Sequence, residues 1–189
     1  MKTIIDFINK HGMLQKGAKV LCAVSGGADS MCLLHFLSSN AQRFDITVAA
    51  AHFNHRLRGA EADRDQAFVE AWCADRGIVC EAGSADVAAY AQQNGMSTEE
   101  AARRLRYEFL ENCADKLGCT AIATAHNSDD NAETVLLNLT RGAGAKGLCG
   151  IPPVRGRLIR PLLATSRAQI EDYLAENGVA HISDSTNDT

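Results

Sequence analysis

The stretch Ser25 to Ser30, with the sequence Ser-Gly-Gly-Ala-Asp-Ser, has the residue types of a phosphate-binding loop. Glycine lacks a Cβ, so a ligand can approach its backbone closely, and the amide groups at the start of a following helix attract anions. Ser25 and Ser30 add hydroxyl donors, while Asp29 beside an anion suits a divalent cation lying between the two. The alternative without function is a Gly-Gly turn followed by a Ser or Asp helix cap.

A second polar cluster contains His126, Asp130 and Glu133. Asp130 and Glu133 are three residues apart at the start of a predicted helix, so they share one helix face. Two carboxylates on one face can hold Mg²⁺ or orient an incoming amine, and a histidine beside them can carry a proton. Acidic residues in a first turn also stabilise a helix dipole without any function. The residues alone therefore leave both readings open.

A third polar cluster runs from His52 to Arg58. His52 and His55 have no third ligand at a spacing typical of zinc, which argues against a zinc site. His52 is instead predicted to contact a nucleotide, and Arg56 or Arg58 to contact a phosphate or a nucleic acid. Exposed loop residues without a ligand are the alternative.

Five short apolar runs predict the strands that position these clusters: Val20–Val24, Asp45–Phe53, Ile78–Cys80, Thr120–Ala125 and Leu158–Leu163. Helical patterns alternate with them, including one opened by Ser97 and Glu100 and a last one opened by Ser166 and Gln169. The alternation predicts an α/β fold with a doubly wound parallel sheet of about five strands and helices on both faces. The three polar clusters follow the first, second and fourth strands, where such sheets bind ligands.

The composition indicates a cytoplasmic protein that needs no disulfide bonds. The chain has 189 residues, a net charge of −4 and seven cysteines with no Cys-x-x-Cys pair, which predicts reduced thiols. It has neither a signal-peptide pattern nor an apolar stretch long enough to span a membrane. Residues 134–170 contain no acidic residue but six cations, and this strip predicts either RNA phosphate contacts or a solvated loop: Arg141, Lys146, Arg155, Arg157, Arg160 and Arg167.

The loop at Ser25 resembles the SGGxDS pyrophosphate loop of N-type ATP pyrophosphatases, which cleave ATP between its α and β phosphates. Together with other motifs in the same order, it resembles the tRNA(Ile)-lysidine synthetase family. The additional motifs are His52-Phe-Asn-His-Arg-Leu-Arg58, Glu100-Ala-Ala-Arg-Arg-Leu-Arg-Tyr107, Ala125-His-Asn-Ser-Asp-Asp-Asn-Ala-Glu-Thr134, Arg141-Gly-Ala-Gly144 and Arg160-Pro-Leu-Leu163.

The resemblance implies a ligase that uses ATP and Mg²⁺ to join free lysine to the wobble cytidine of a CAU-anticodon tRNA(Ile). An adenylated cytidine is the implied intermediate, and AMP and pyrophosphate are released. Asp29 is implied to hold Mg²⁺, and Arg106 to meet the α-phosphate. His126, Asp130 and Glu133 are implied to receive the cytosine and the lysine. The implied pyrophosphate contacts are Ser25, Gly26, Gly27, Ala28, Asp29 and Ser30.

Other functions remain open on the sequence. Enzymes of tRNA thiolation and of small-molecule amidation share the loop, although thiolation usually needs paired cysteines, and a non-catalytic ATP-binding module is a further alternative. The sequence stops within the turn-forming residues Asp184 to Thr189. We therefore expect residues 1–189 to be a catalytic domain cut from a longer protein, without C-terminal tRNA-binding domains. Whether it forms a homodimer stays open.

Overall fold

A computed structural model describes residues 2–56, 60–144 and 147–182, and in these residues the apolar runs form one six-stranded sheet surrounded by helices. The elements in chain order are α1 Lys2–Lys10, β1 Ala18–Ala23, α2 Ala28–Ser39, α3 Ala41–Phe44, β2 Ile46–Asn54, α4 Ala60–Ala74, β3 Cys80–Ser84, α5 Val87–Asn94, α6 Thr98–Leu117, β4 Ala121–Ala123, α7 Ser128–Thr140, β5 Val154–Arg155, β6 Leu158–Ile159 and α8 Arg167–Asn177, with a 3₁₀ turn at Gly147–Cys149.

The strand order is β3-β2-β1-β4-β6-β5, and neighbouring strands are parallel except for β5 and β6. The order reverses between β1 and β4, so the connections that leave these two strands diverge and open a crevice. The predicted doubly wound sheet is confirmed. About five strands were predicted and the sheet has six; the additional strand, β5, has two residues in a tight hairpin and therefore shows no alternation of its own.

Apolar side chains of the central strand β1 point alternately into two cores. Val20 and Cys22 belong to the core under α1, α2, α4 and α8, whereas Leu21 packs with Leu110 and Cys113 of α6 on the opposite face. Successive residues of a strand face opposite sides of a sheet, so a strand covered on both sides is apolar throughout. This explains why the run before the glycine loop is continuously hydrophobic.

Local signals located most of the helices. Ser166 and Gln169 form the predicted reciprocal capping box of α8, and the Ser97 hydroxyl accepts from the Glu100 amide at 3.2 Å. The prediction missed α5, and it placed the third strand at residues 78–80 rather than 80–84. Strand β3 lies at the sheet edge and is only partly buried, so its residues, Cys-Glu-Ala-Gly-Ser, carry a weak apolar pattern.

Three predictions fall outside the described residues: the phosphate contact of Arg58, the contribution of Lys146 to the basic strip, and the turn at Asp184 to Thr189. Among the helices that the structure describes, each is too short or too polar to cross a membrane.

Candidate active site

A cavity of about 580 Å³ opens at the carboxyl edge of the sheet, where β1, β2 and β4 end. The predicted site residues that line it come from four separate parts of the chain: Ser25, Gly27, Asp29, Ser30, His52, Arg106, His126 and Asp130. The structure thus brings the three polar clusters together with one side chain of α6. Of the remaining predicted residues, Gly26 and Ala28 are buried members of the same loop, and Glu133 does not line the cavity.

The glycine loop is organised by the hydroxyl of Ser30. This oxygen accepts hydrogen bonds from the amides of Ser25 and Gly26, both at 3.2 Å, and donates to the carbonyl oxygen of Gly27 at 2.9 Å. The hydroxyl is therefore engaged within the loop, whereas the Ser25 side chain is exposed at the cavity. Ser30 shapes the loop in this conformation, and its predicted role as a phosphate donor stays a prediction.

Asp29 in the first turn of α2 has two differently placed carboxylate oxygens. Its Oδ2 accepts from Nη1 of Arg167 at 2.9 Å, while its Oδ1 is buried without a hydrogen-bond partner. Burial raises the pKa of Asp29, and the Arg167 guanidinium and the nearby Asn127 side chain oppose this rise. A buried carboxylate oxygen without a donor suits a cation.

Asp29 fits Mg²⁺ better than a metal held wholly by protein. Among residues 2–56, 60–144 and 147–182, no group of three or more His, Cys, Asp or Glu side chains could hold a metal. Mg²⁺ is usually bound through one or two carboxylates together with substrate phosphates and water. Asp29 meets this requirement, because it is a single carboxylate beside the predicted phosphate loop.

Three histidines line the cavity, and two of them, His52 and His126, are predicted site residues. Nδ1 of His52, which is 4% exposed, lies 2.9 Å from the carbonyl oxygen of Val24, so this nitrogen donates and Nε2 is left as an acceptor. Nδ1 of His126 lies 3.1 Å from the hydroxyl of Thr124. Burial lowers the pKa of both histidines, and the nearby charge of Arg160 lowers that of His126 further. Both rings are therefore unprotonated at neutral pH.

The start of α7 is a capping box. The Asn127 side chain accepts from the amides of Asp129 and Asp130, and Oδ2 of Asp130 accepts from the Asn127 amide at 2.9 Å. Asp130 therefore caps the helix and also lines the cavity; its role as a substrate contact stays a prediction. Glu133 lies one turn further along the helix and is exposed; its role as a substrate contact stays a prediction.

Arg106 is distinguished from its neighbours by its position on α6. It is half-buried and lines the cavity, whereas Arg103 and Arg104 are exposed and do not. Burial lowers the pKa of His55 and of His126, and the positive charge of Arg106 lowers both further. Within the described residues no carboxylate forms an ion pair with Arg106. This cation is therefore available for an anionic ligand in the cavity.

The predicted basic strip is not a continuous cationic surface in the described residues. Arg160 is 3% exposed and donates to the carbonyl oxygen of Pro152 at 2.6 Å. The guanidinium of Arg157 is paired with Glu111 and Asp115, and that of Arg167 with Asp29 and Glu171. The net charge of the segment did not reveal this pairing, because Asp29, Glu111 and Asp115 lie in distant parts of the chain.

Sequence reasoning also missed several residues that line the cavity. Asp65 comes from α4, and Ile182 comes from the segment after α8, where its amide donates to the carbonyl oxygen of Gly26 at 2.9 Å. Asn54 and His55 were inside a motif that was noticed, but no role was assigned to Asn54. Nothing local in the sequence places Asp65 or Ile182 near the glycine loop, since only the tertiary fold joins them.

The lowered histidine pKa values predict a specific pH dependence of stability. In the unfolded chain, His52 and His126 take up protons below about pH 6.5, whereas in the folded protein they take them up only at lower pH. The free energy of unfolding should therefore fall as the pH drops below about 6.5. Urea unfolding of the parent between pH 7.5 and 5.5 should show this loss. His52→Gln and His126→Asn together should make the dependence shallower, because the two side chains no longer titrate. The same slope in the parent and the double variant would contradict the prediction.

Comparison with known proteins places the cavity in context. A family model described as a PP-loop domain matches residues 2–189. A tRNA(Ile)-lysidine synthase of Bacillus subtilis is 44% identical over 99% of this chain, and one of Clostridioides difficile is 44% identical over 90%. The chain spans 40% and 37% of the lengths of these two relatives.

Solved structures support the same fold at lower identity. The U34-tRNA thiolase NcsA from Methanococcus maripaludis, with its [4Fe-4S] cluster, has a TM-score of 0.74 at 20% identity, covering 96% of this chain and 64% of its own. The NH3-dependent NAD synthetase from Campylobacter jejuni has a TM-score of 0.59 at 17% identity, covering 94% and 71%. At these identities the likeness establishes the fold alone.

Proposed function

Since the chain belongs to the PP-loop domain family, an ATP-binding family, we propose that its cavity uses ATP to join lysine to C2 of the wobble cytidine of a CAU-anticodon tRNA(Ile). The observation that carries the proposal is that the glycine loop, Arg106, His126 and Asp130 line one cavity. The curated relatives at 44% identity, which are named tRNA(Ile)-lysidine synthase, support this choice of substrate.

The first step of the proposed reaction is the adenylation of the cytidine. The amides and hydroxyls of the loop bind the β and γ phosphates of ATP, and Arg106 contacts the α-phosphate. The C2 carbonyl oxygen of the cytidine attacks the α-phosphorus, the bond to the β-phosphate oxygen breaks, and pyrophosphate leaves. Asp29 would hold Mg²⁺, which supplies positive charge to neutralise the phosphates. Arg106 stabilises the charge that grows on the α-phosphate in the transition state.

The second step is the attack of lysine on the adenylated cytidine. The lysine ammonium must first lose a proton, and the neutral imidazole of His126 and the carboxylate of Asp130 are the acceptors at the cavity wall. The free amine then forms a bond to C2, and AMP leaves with the former carbonyl oxygen. Adenylation makes this oxygen a good leaving group. We assign Glu133 to binding the ammonium at the mouth of the cavity.

The structure offers little to support sulfur transfer as the alternative. No cysteine is among the described residues that line the cavity, although tRNA thiolation requires a reactive thiol or a cluster at the site. We also propose that residues 1–189 act as the catalytic domain. Because the described arginines of the basic strip are largely buried or paired, we expect the contacts that hold the rest of a tRNA to lie outside this domain.

Single-turnover transfer of radiolabelled lysine tests the proposed function. With the protein in excess over tRNA(Ile) transcripts, we expect lysine to be incorporated only when ATP is present, with one AMP formed per lysine. A transcript with uridine at the wobble position should accept none, because its C4 oxygen and N3 proton present a different base edge. Incorporation of ammonia or sulfur in place of lysine would identify one of the alternative enzymes. ATP binding without any transfer, at protein concentrations that saturate binding of the transcript, would favour a non-catalytic module.

A further inference from the structure

Arg167, the first residue of α8, joins the two helix starts that flank the cavity. Its Nη1 donates to Oδ2 of Asp29 at 2.9 Å, and its backbone amide donates to Oδ2 of Asp129 at 3.0 Å. Its Nε donates to Glu171 at 2.9 Å. One residue therefore touches the first turn of α2, which carries the glycine loop, and the first turn of α7, which carries Asp130.

We propose that Arg167 is a competing counter-ion for Asp29, so that its guanidinium and the divalent cation of metal-bound ATP occupy the same carboxylate in turn. The inference rests on the proposed ATP site and concerns how that site changes between its metal-bound and metal-free forms. Arg167 is thus a positioning residue that acts through Asp29.

The charges at the loop explain why such a counter-ion is needed. An aspartate beside a phosphate site repels the triphosphate unless a cation lies between them. The Asp29 side chain is 26% exposed and its Oδ1 has no donor, so water screens its charge only in part. A guanidinium can pair with a carboxylate or with a phosphate. Arg167 can therefore cancel the repulsion when the metal is absent and release Asp29 when the metal arrives.

The surroundings of Arg167 allow this exchange without loss of the fold. Its side chain is 47% exposed, and its second carboxylate partner, Glu171, lies one turn along the same helix. Its backbone is held separately, because its amide bonds to Asp129 and the nearby carbonyl oxygen of Thr165 accepts from the amide of Ser128 at 3.0 Å. The side chain can leave Asp29 while the start of α8 stays attached to α7.

The experiment measures binding of ATP to the parent and to Arg167→Gln, over a range of Mg²⁺ concentrations and also in EDTA. Loss of the competitor should lower the Mg²⁺ concentration for half-maximal ATP binding about fivefold, the size expected for a half-exposed ion pair. In EDTA, the same variant should bind ATP about fivefold more weakly, because Asp29 is left unneutralised. A merely structural role would weaken ATP binding under both conditions.

Three further variants make the test decisive. Arg157→Gln is the matched control, since Arg157 is paired with two carboxylates outside the cavity, and it should change neither value. In an Asp29→Asn background, Arg167→Gln should have no further effect. With Asp29 intact, Arg167→Lys should keep most of the parental behaviour. If Arg167→Gln weakened ATP binding equally with and without Mg²⁺, or had the same effect in the Asp29→Asn background as in the parent, the inference would be overturned while the proposed function would stand. Failure of the parent to bind ATP would overturn the proposed function, and the inference with it.

Discussion

Arg106→Ala should slow the release of pyrophosphate from ATP about a hundredfold in the presence of tRNA(Ile), while the affinity for ATP changes much less. The guanidinium lines the cavity without a carboxylate partner among the described residues, so its charge is available for the α-phosphate. A cation that stabilises charge developing in the transition state is commonly worth about 3 kcal/mol, which is roughly a hundredfold in rate. Rapid-quench measurement of pyrophosphate, together with ATP titration, separates the two effects.

The same helix supplies the controls for this prediction. Arg103 and Arg104 are exposed and do not line the cavity, so Arg103→Ala and Arg104→Ala remove the same charge without touching the site. Both variants should release pyrophosphate within about twofold of the parent, since an exposed charge is screened by water. If all three variants lost the same activity, the effect would come from the general field of α6, and the assignment of Arg106 to the α-phosphate would fail.

Arg106 also shows which parts of the site could be predicted from the sequence. Helical periodicity predicted α6 and its cap, because both are local properties of the chain. Periodicity did not show which of Arg103, Arg104 and Arg106 contacts the ligand. That assignment came from the family resemblance. Only the packing of Leu110 and Cys113 against the sheet fixes the rotation of the helix, and this rotation turns Arg106 toward the cavity.

The doubly wound sheet was predictable for a similar reason. Strands buried on both faces are continuous apolar runs, and the polar clusters that follow them must meet at one edge. Long-range partners were not predictable. The pairs of Arg167 with Asp29 and of Arg157 with Glu111 join residues far apart in sequence. The charge of residues 134–170 therefore predicted one cationic strip, although these two arginines are neutralised in the described structure.

Gly26→Ala should lower the free energy of unfolding by about 2 kcal/mol and weaken ATP binding at least tenfold. Gly26 has a φ of +99°, where an L side chain is strained by about 1 to 3 kcal/mol. A Cβ at this position would also clash with the Cδ1 atom of Ile182. The strain would pull the Gly26 amide away from the Ser30 hydroxyl, 3.2 Å away, around which the loop is built. Urea unfolding and ATP titration measure the two effects.

Gly27 is the matched control, because the sequence does not distinguish two adjacent glycines whereas the structure does. Gly27 has a φ of −70°, and a Cβ there would lie 3.6 Å from the Ser25 hydroxyl, an ordinary contact. Gly27→Ala should therefore change the free energy of unfolding by no more than about 0.5 kcal/mol, because the lost freedom of the unfolded chain offsets the weaker helix cap. Its Cβ would still stand at the cavity wall, so ATP binding should weaken without a loss of stability. Equal destabilisation by both substitutions would mean that the left-handed backbone at Gly26 does not hold the loop in shape.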